Sequence, residues 1–281
     1  MDWWPLAEEP SNQAGSSVKR TLLLTCLLFF GACSKKEDPN TLRVAATPIP
    51  QAEILEFVKP KLKAEGINLE IIILDDYNIP NRALSEKEVN ANYFQHIPFM
   101  DEQIKAFGYK IKCFARIHLE PMGLYSKKIK SLKDLSEKAV VAVPNDPTNE
   151  YRALALMEKE GLITLKPGTK LSATVLDIAT NPKKLVFREI DAAMLPRSLS
   201  SVDLAAVPTN FALQANLNPD RDALALESKD SPYANIIAIR DDDGQDPRLI
   251  KLREAMLTDE MRQFILKKYD GVIIPVLKLC P

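Results

Sequence analysis

An α/β fold with two lobes is what the sequence predicts, and three observations carry the expectation. The first is the opening: 42–46 (LRVAA) reads as a strand, 51–65 places Ile54, Leu55, Val58 and Leu62 at helical spacing, and 67–74 (INLEIIIL) is a β-branched strand. A β-α-β unit of this kind builds a covered parallel sheet. The second is recurrence, with further strands expected at 110–115, 139–143, 184–187, 203–207 and 236–239. Helices separate them: 148–159 begins at the turn Asn145-Asp146-Pro147, and 247–257 and 259–268 close the chain. The third is a pair of short stretches, 116–122 and 228–235, where the chain leaves one β/α block and later returns to it. Together these predict one lobe from 42–117 with 235–281, a second from 118–234, and a cleft between them.

Composition narrows the chemistry. The 281 residues carry 37 Lys+Arg against 38 Asp+Glu, a net charge of −1, which argues against nucleic acid as the partner. At 46% hydrophobic and 27% charged, the chain is globular and long enough to bury a large core. It has two histidines, His96 and His118, and 9 glycines, a poor basis for zinc chemistry or Gly-rich phosphate loops. HExxH, GxSxG, Walker and GxGxxG patterns are missing, so neither an enzyme nor a bound cofactor or metal is expected. His118-Leu119-Glu120 reads as a structural pair, and Asp241-Asp242-Asp243-Gly244 as a solvated turn rather than a calcium loop. The four cysteines, Cys26, Cys33, Cys113 and Cys280, show no CxxC spacing and no paired framework.

The N-terminal region reads as an address. Residues 21–32 are an apolar run after Lys19 and Arg20, far shorter than the ~20 residues a bilayer span requires. A basic flank, a short apolar core and small residues before a cleavage point describe a secretory signal over 1–32. Gly31-Ala32-Cys33 resembles a bacterial lipobox, which implies lipidation of Cys33, with 33–41 as a polar leash. The polar segment 1–17 is longer than a signal's n-region, and a translation start at Val18 is expected.

Two stretches carry candidate binding chemistry. Asn92-Tyr93-Phe94-Gln95-His96, ahead of Pro98, reads either as a helix start with an aromatic face in the core or as a pocket wall. Pro144-Asn145-Asp146-Pro147-Thr148-Asn149 leads into a helix with Arg152 on its first turn. That segment is either a plain capped helix with a surface Arg or a site where amides and a guanidinium meet a carboxylate.

Several separated blocks then resemble one family in the same order. They are the stretch from Asp76-Tyr77-Asn78 to Leu84, Asn90 to His96, Tyr125-Ser126-Lys127-Lys128 to Leu132, Val143 to Asn149, Leu195 to Leu199, and Ser231-Pro232-Tyr233-Ala234-Asn235. The chain is similar to the NlpA-type methionine-binding lipoproteins, the solute-binding components of methionine ABC importers. The resemblance implies a two-lobe periplasmic-binding-protein fold of type II, with mixed sheets flanked by helices and two crossover segments. By matching motif, Tyr77, Phe94, His96 and Tyr125 would line the side-chain and amine region, Arg152 would hold the carboxylate, and Asn149, Asn210 and Asn235 would complete the polar contacts. Pro208-Thr209-Asn210-Phe211 departs from the family's Asn-rich, Tyr-containing version, and the tail 273–281 has no clear counterpart. The implied partners are methionine, an ABC permease with its cytoplasmic ATPase, and a bilayer of the bacterial envelope through the lipid anchor. Another neutral amino acid, a short peptide, or an adhesive or envelope role without transport stand as alternatives. In an open, wet cleft Arg152 is expected to matter for affinity and little for stability.

Overall fold

A computed structural model describes residues 38–171 and 173–280; the signal segment, Cys33 and the start of the leash lie outside the described residues. The chain first forms β1 (Thr41–Ala46), α1 (Glu53–Ala64), β2 (Asn68–Ile73), α2 (Ile79–Ser85), β3 (Ala91–His96), α3 (Ile97–Phe107) and β4 (Ile111–Leu119). It continues with β5 (Gly123–Tyr125), β6 (Val140–Pro144), α4 (Pro147–Lys159), β7 (Thr164–Leu165), β8 (Ile178–Thr180), β9 (Val186–Ile190), α5 (Leu195–Ser198) and β10 (Leu204–Val207). After α6 (Thr209–Gln214), α7 (Pro219–Asp222) and β11 (Ala225–Leu226) come β12 (Ala234–Arg240), α8 (Pro247–Met256), α9 (Asp259–Lys268) and β13 (Ile274–Leu279).

Two mixed sheets result. The first has the order β13-β4-β12-β3-β1-β2 and the second β11-β5-β10-β6-β9, while β7 and β8 form a small ribbon. The predicted β-α-β opening is present: β1 runs parallel to β2 from Thr41↔Asn68 to Ala46↔Ile73. Helix α1 covers the pair by burying Ile54, Leu55, Val58 and Leu62 in one cluster with Leu42, Val44 and Leu69. Burying such a side chain stabilises by about 1.5–3 kcal/mol. The chain passes from the first sheet to the second at 120–122, between β4 and β5, and returns at 227–233, between β11 and β12. Among the described residues no helix is long and apolar enough to cross a membrane.

Several expectations need correction. Residues 92–96 belong to a central strand, β3, paired with β1 and β12, and the helix starts only after His96. Asn92 and Gln95 disguise the strand, because their amides are satisfied by Asn81 rather than by water. Asn92 donates to Asn81 Oδ1 at 2.9 Å, Gln95 donates to it at 2.6 Å, and Asn81 returns a bond to Gln95 Oε1 at 2.8 Å. Strand β9 begins at Val186 rather than 184, since 181–185 is a turn clamped by Asn181, with Lys184 at φ 52°. The tail, which has no clear counterpart in the family pattern, supplies the edge strand β13 beside β4. Cys113 and Cys280, for which the sequence shows no paired framework, form a disulfide with their Cα atoms 5.8 Å apart, and at a separation of 167 residues no local spacing could show it.

Candidate functional site

A cavity lies at the strand ends of the two sheets, lined by residues from both sides. Strand β3 supplies Phe94 and His96 to it, and α3, entered through Pro98, supplies Phe99. With Tyr77, these rings form a wall in which Tyr77, Phe94 and Phe99 have centroids 5.7–5.9 Å apart in tilted or edge-on contacts. Aromatic side chains packed this way offer large apolar faces at fixed geometry.

His96 has a defined tautomer. Its Nδ1 accepts the Phe99 N–H at 3.1 Å and so caps α3. Burial, and then the Arg152 charge, lower its pKa to about 3, so the ring is neutral and its proton sits on Nε2. That N–H donates to Asn149 Oδ1 at 3.3 Å, across from the first sheet to α4. Asn149 is itself fixed by Asp146, the N-cap of α4, which accepts from both its backbone N–H and its side-chain amide at 3.0 Å. Burial keeps the Asp146 carboxyl above its ordinary pKa despite these donors.

Arg152 lies one turn further along α4 and is 6% exposed, not a surface residue. Its Nη1 donates to Asn149 Oδ1 and its Nη2 to the Glu120 carbonyl, both at 3.0 Å. Nε and Nη2 also grip the Glu227 carboxylate at 3.2 and 2.6 Å, and the guanidinium lies 4.4 Å from the centre of the Tyr233 ring. Burial alone would lower the guanidinium pKa; Glu227 more than offsets this, and the net direction is upward. Of the five N–H groups of a guanidinium, these bonds use four and leave one on Nη1. Arg152 is therefore neither a surface residue nor an unpaired cation: it is already paired and built into the wall.

The opposite side of the cavity carries Glu120 and Asn235. Glu120 Oε1 accepts from Gln51 Nε2 at 2.7 Å and from His118 Nε2 at 2.6 Å. Its Oε2 accepts from none of the described side chains and is left to the cavity, which Glu120 lines. Gln51 also donates to Asn235 Oδ1 at 3.0 Å. Asn235 lies beside His96 in the β3–β12 pairing, so backbone register places both on the cavity edge of the sheet.

Asn210, near the start of α6, accepts the Tyr77 hydroxyl at 2.7 Å, tying the second lobe to the first. The departure from the family pattern around 208–211 therefore still leaves an Asn on the cavity. Its Nδ2 is buried without a hydrogen-bond partner among the described residues. Such a donor is costly unless something accepts from it.

Seven of the eight residues expected to bind ligand thus meet here: Tyr77, Phe94, His96, Asn149, Arg152, Asn210 and Asn235. The eighth, Tyr125, does not. It lies in an apolar cluster with Ala142, Ala205, Val207 and Phe211, and its ring folds over Gly123, whose Cα could not carry a Cβ without coming within 2.7 Å of it. Its outer side lines a separate groove with Lys127, Lys130 and Arg221. Sequence reasoning missed Glu227 and Gln51, and set Glu120 aside as structural. Nothing local marks Glu227 or Gln51, whereas Glu120 sits next to a predicted crossing and could have been weighed for that.

A family profile described as NlpA lipoprotein matches residues 42–277. The chain is 41% identical over 272 residues to the methionine-binding lipoprotein MetQ of Bacillus subtilis (strain 168), covering 92% of this chain and 99% of that one. It is 39% identical over 252 residues to the D-methionine-binding lipoprotein MetQ of Escherichia coli (strain K12), covering 89% and 93%. A nutrient-binding protein from Burkholderia cenocepacia, solved bound to methionine, is 48% identical and superposes with a TM-score of 0.81 over 84% of this chain and 99% of that one.

Proposed function

This chain belongs to the NlpA lipoprotein family, and we infer that it captures methionine in the cavity and delivers it to an ABC permease. One observation carries the reading: a cavity with an aromatic wall also presents a carboxylate, Glu120, and two donors without partners among the described residues, the last N–H of Arg152 Nη1 and Asn210 Nδ2. A zwitterion needs that arrangement. Its ammonium would approach Glu120, its carboxylate would accept from Arg152 and Asn210, and a thioether would lie on Tyr77, Phe94 and Phe99, where a polarizable sulfur contacts ring edges favourably. Asn149, His96 and Asn235 hold these groups in place. Tyr125 is left out of the binding set.

Further parts of the reading rest on the sequence. The two lobes, 42–117 with 235–281 and 118–234, would close on the ligand by bending at the passages 120–122 and 227–233. Arg152 bonds to both passages, through the Glu120 carbonyl and the Glu227 carboxylate. Lipidated Cys33 would tether the protein to an envelope membrane beside a permease whose cytoplasmic ATPase drives uptake. The cycle consists of binding and release, with no bond of the ligand made or broken.

Calorimetry on the protein lacking Cys33, unfolded and refolded to remove bound ligand, tests the central step. Methionine should bind far more tightly than glutamate or lysine, whose charged side chains would be desolvated against the aromatic wall without a partner. Equal or tighter binding of either charged amino acid overturns the methionine reading. Cys33→Ser should release the protein from membranes without changing affinity, and full membrane retention in high salt would remove the lipid anchor.

A further inference from the structure

His118 touches no part of the cavity, yet it is fully buried directly behind the cavity's carboxylate. It lies on β4 between Asn235 of β12 and Pro275 of β13, so the sheet fixes its backbone on both sides. Its Nδ1 meets the hydroxyl of Tyr93, also fully buried, and the two rings pack edge to face at 5.4 Å. Its Nε2 meets Glu120 Oε1 at 2.6 Å.

The hydrogens in this chain follow from its ends. Burial raises the Tyr93 pKa well above its ordinary value, so the phenol keeps its proton and donates it to Nδ1. The imidazole then carries its own proton on Nε2, where it donates to the Glu120 carboxylate. Gln51 supplies a second donor to the same oxygen, and Gln51 Oε1 accepts from Thr47 at 2.5 Å. Glu120 Oε1 is thus filled from behind by two oriented donors, while Oε2 stays free toward the cavity. A charge-assisted hydrogen bond stabilises the ionised carboxylate, and rigid partners fix which oxygen faces the ligand.

We propose that His118, backed by Tyr93, is a positioning residue for ammonium recognition: it holds Glu120 turned so that one oxygen meets the α-ammonium of an amino-acid ligand. The inference rests on the reading of Glu120 as the ammonium acceptor. It predicts a loss confined to ligands that carry an α-ammonium, which a generally loosened fold would not produce.

The test compares methionine with des-amino methionine, the thioether acid without its ammonium, by calorimetry. His118→Phe, which keeps a ring but no nitrogen, should weaken methionine by about ten- to a hundredfold and leave des-amino methionine within about twofold. His118→Gln, with an amide that can both donate and accept, should recover most of the loss. Tyr93→Phe removes only the hydroxyl and should give a smaller loss of the same selective kind, so it decides the matter if His118→Phe does not fold. Equal losses for both ligands, or no loss in either variant, overturn the proposal. Glu120→Gln separates the two readings. If it abolishes the preference for methionine while His118→Phe and Tyr93→Phe preserve it, the positioning role falls alone. If Glu120→Gln preserves the preference, the ammonium acceptor was misassigned and both fall.

Discussion

Arg152 and Glu227, 75 residues apart in sequence, form a two-point ion pair at 2.6 and 3.2 Å beside the cavity that Arg152 lines. Their side chains are 5% and 13% exposed, so neither charge has ready access to water. A pair of this kind contributes little net stability when intact, but removing one partner strands the other. In the proposed binding mode the buried carboxylate would compete with a ligand carboxylate for the same guanidinium.

Arg152→Ala should therefore damage two properties at once. Leaving Glu227 unpaired should lower the stability of the ligand-free protein by about 3 kcal/mol, measured by urea unfolding. Methionine affinity should fall as well, by one to two orders of magnitude, since the ligand loses a charged donor. Glu227→Gln should split the two effects: stability falls, while methionine binds more tightly because the guanidinium no longer shares its charge with a protein carboxylate. Weaker methionine binding by Glu227→Gln would mean that Glu227 positions Arg152 rather than competing with the ligand.

Asn210 offers a second separation of binding from folding. Asn210→Ala removes the orphaned Nδ2 and the acceptor for Tyr77, and should cost methionine about tenfold in affinity. Stability should change less, because the half-buried Tyr77 hydroxyl can turn to water. Asn210→Asp should bind more weakly still, because it faces the ligand carboxylate with a like charge. Unchanged calorimetric affinity in both variants would place the ligand carboxylate elsewhere.

How far the sequence carries such arguments depends on whether a signal is local. The β-α-β opening was legible because Ile54, Leu55, Val58 and Leu62 repeat at the helical period and face a β-branched strand. Five of the seven residues that meet at the cavity, Tyr77, Phe94, His96, Asn149 and Asn235, come from the motif blocks, since each block folds as one strand end or helix start. Tyr125 lies away from the cavity because strand β5 turns its ring over Gly123 and into the second lobe's core, and neighbourhood in a motif says nothing of side-chain direction. Glu227 and the Cys113–Cys280 bond are contacts of long sequence separation, visible only once both sheets are assembled. The strand β3 was hidden by amides whose partners lie on α2.

The disulfide gives a prediction that leaves the cavity untouched. In Cys33→Ser protein prepared from the cell envelope, Cys113 and Cys280 should show no reactive thiol until a reductant is added. Cys280→Ser should lower stability by about 2–4 kcal/mol by freeing β13 from β4. Methionine affinity should not move, because the groove around the disulfide, with Lys112, Phe114 and Arg253, shares no residue with the cavity. A changed affinity in calorimetry would show that the tail bears on the cavity.

The last expectation concerns pH and turns on His96. Its pKa is about 3 in the folded protein and about 6.5 in an unfolded chain, so between these values the unfolded state binds a proton that the folded state refuses. Stability must then fall as pH drops below about 6.5, by up to ~1.4 kcal/mol per pH unit, until the folded ring itself titrates near pH 3. Glu150 works in the other direction. Burial raises its carboxyl to about 7, so the folded state holds a proton that the unfolded state releases above about 4.5, and the stability it adds below that is lost as pH rises through 7. The two are separated by comparing wild type with His96→Gln in urea at several pH values from 7 to 4.5. Glu150 contributes equally to both proteins, and the difference between them should grow steadily below pH 6.5, with wild type losing more. Parallel curves would mean that His96 accepts a proton while folded, and the neutral ring donating from Nε2 to Asn149 would have to be abandoned.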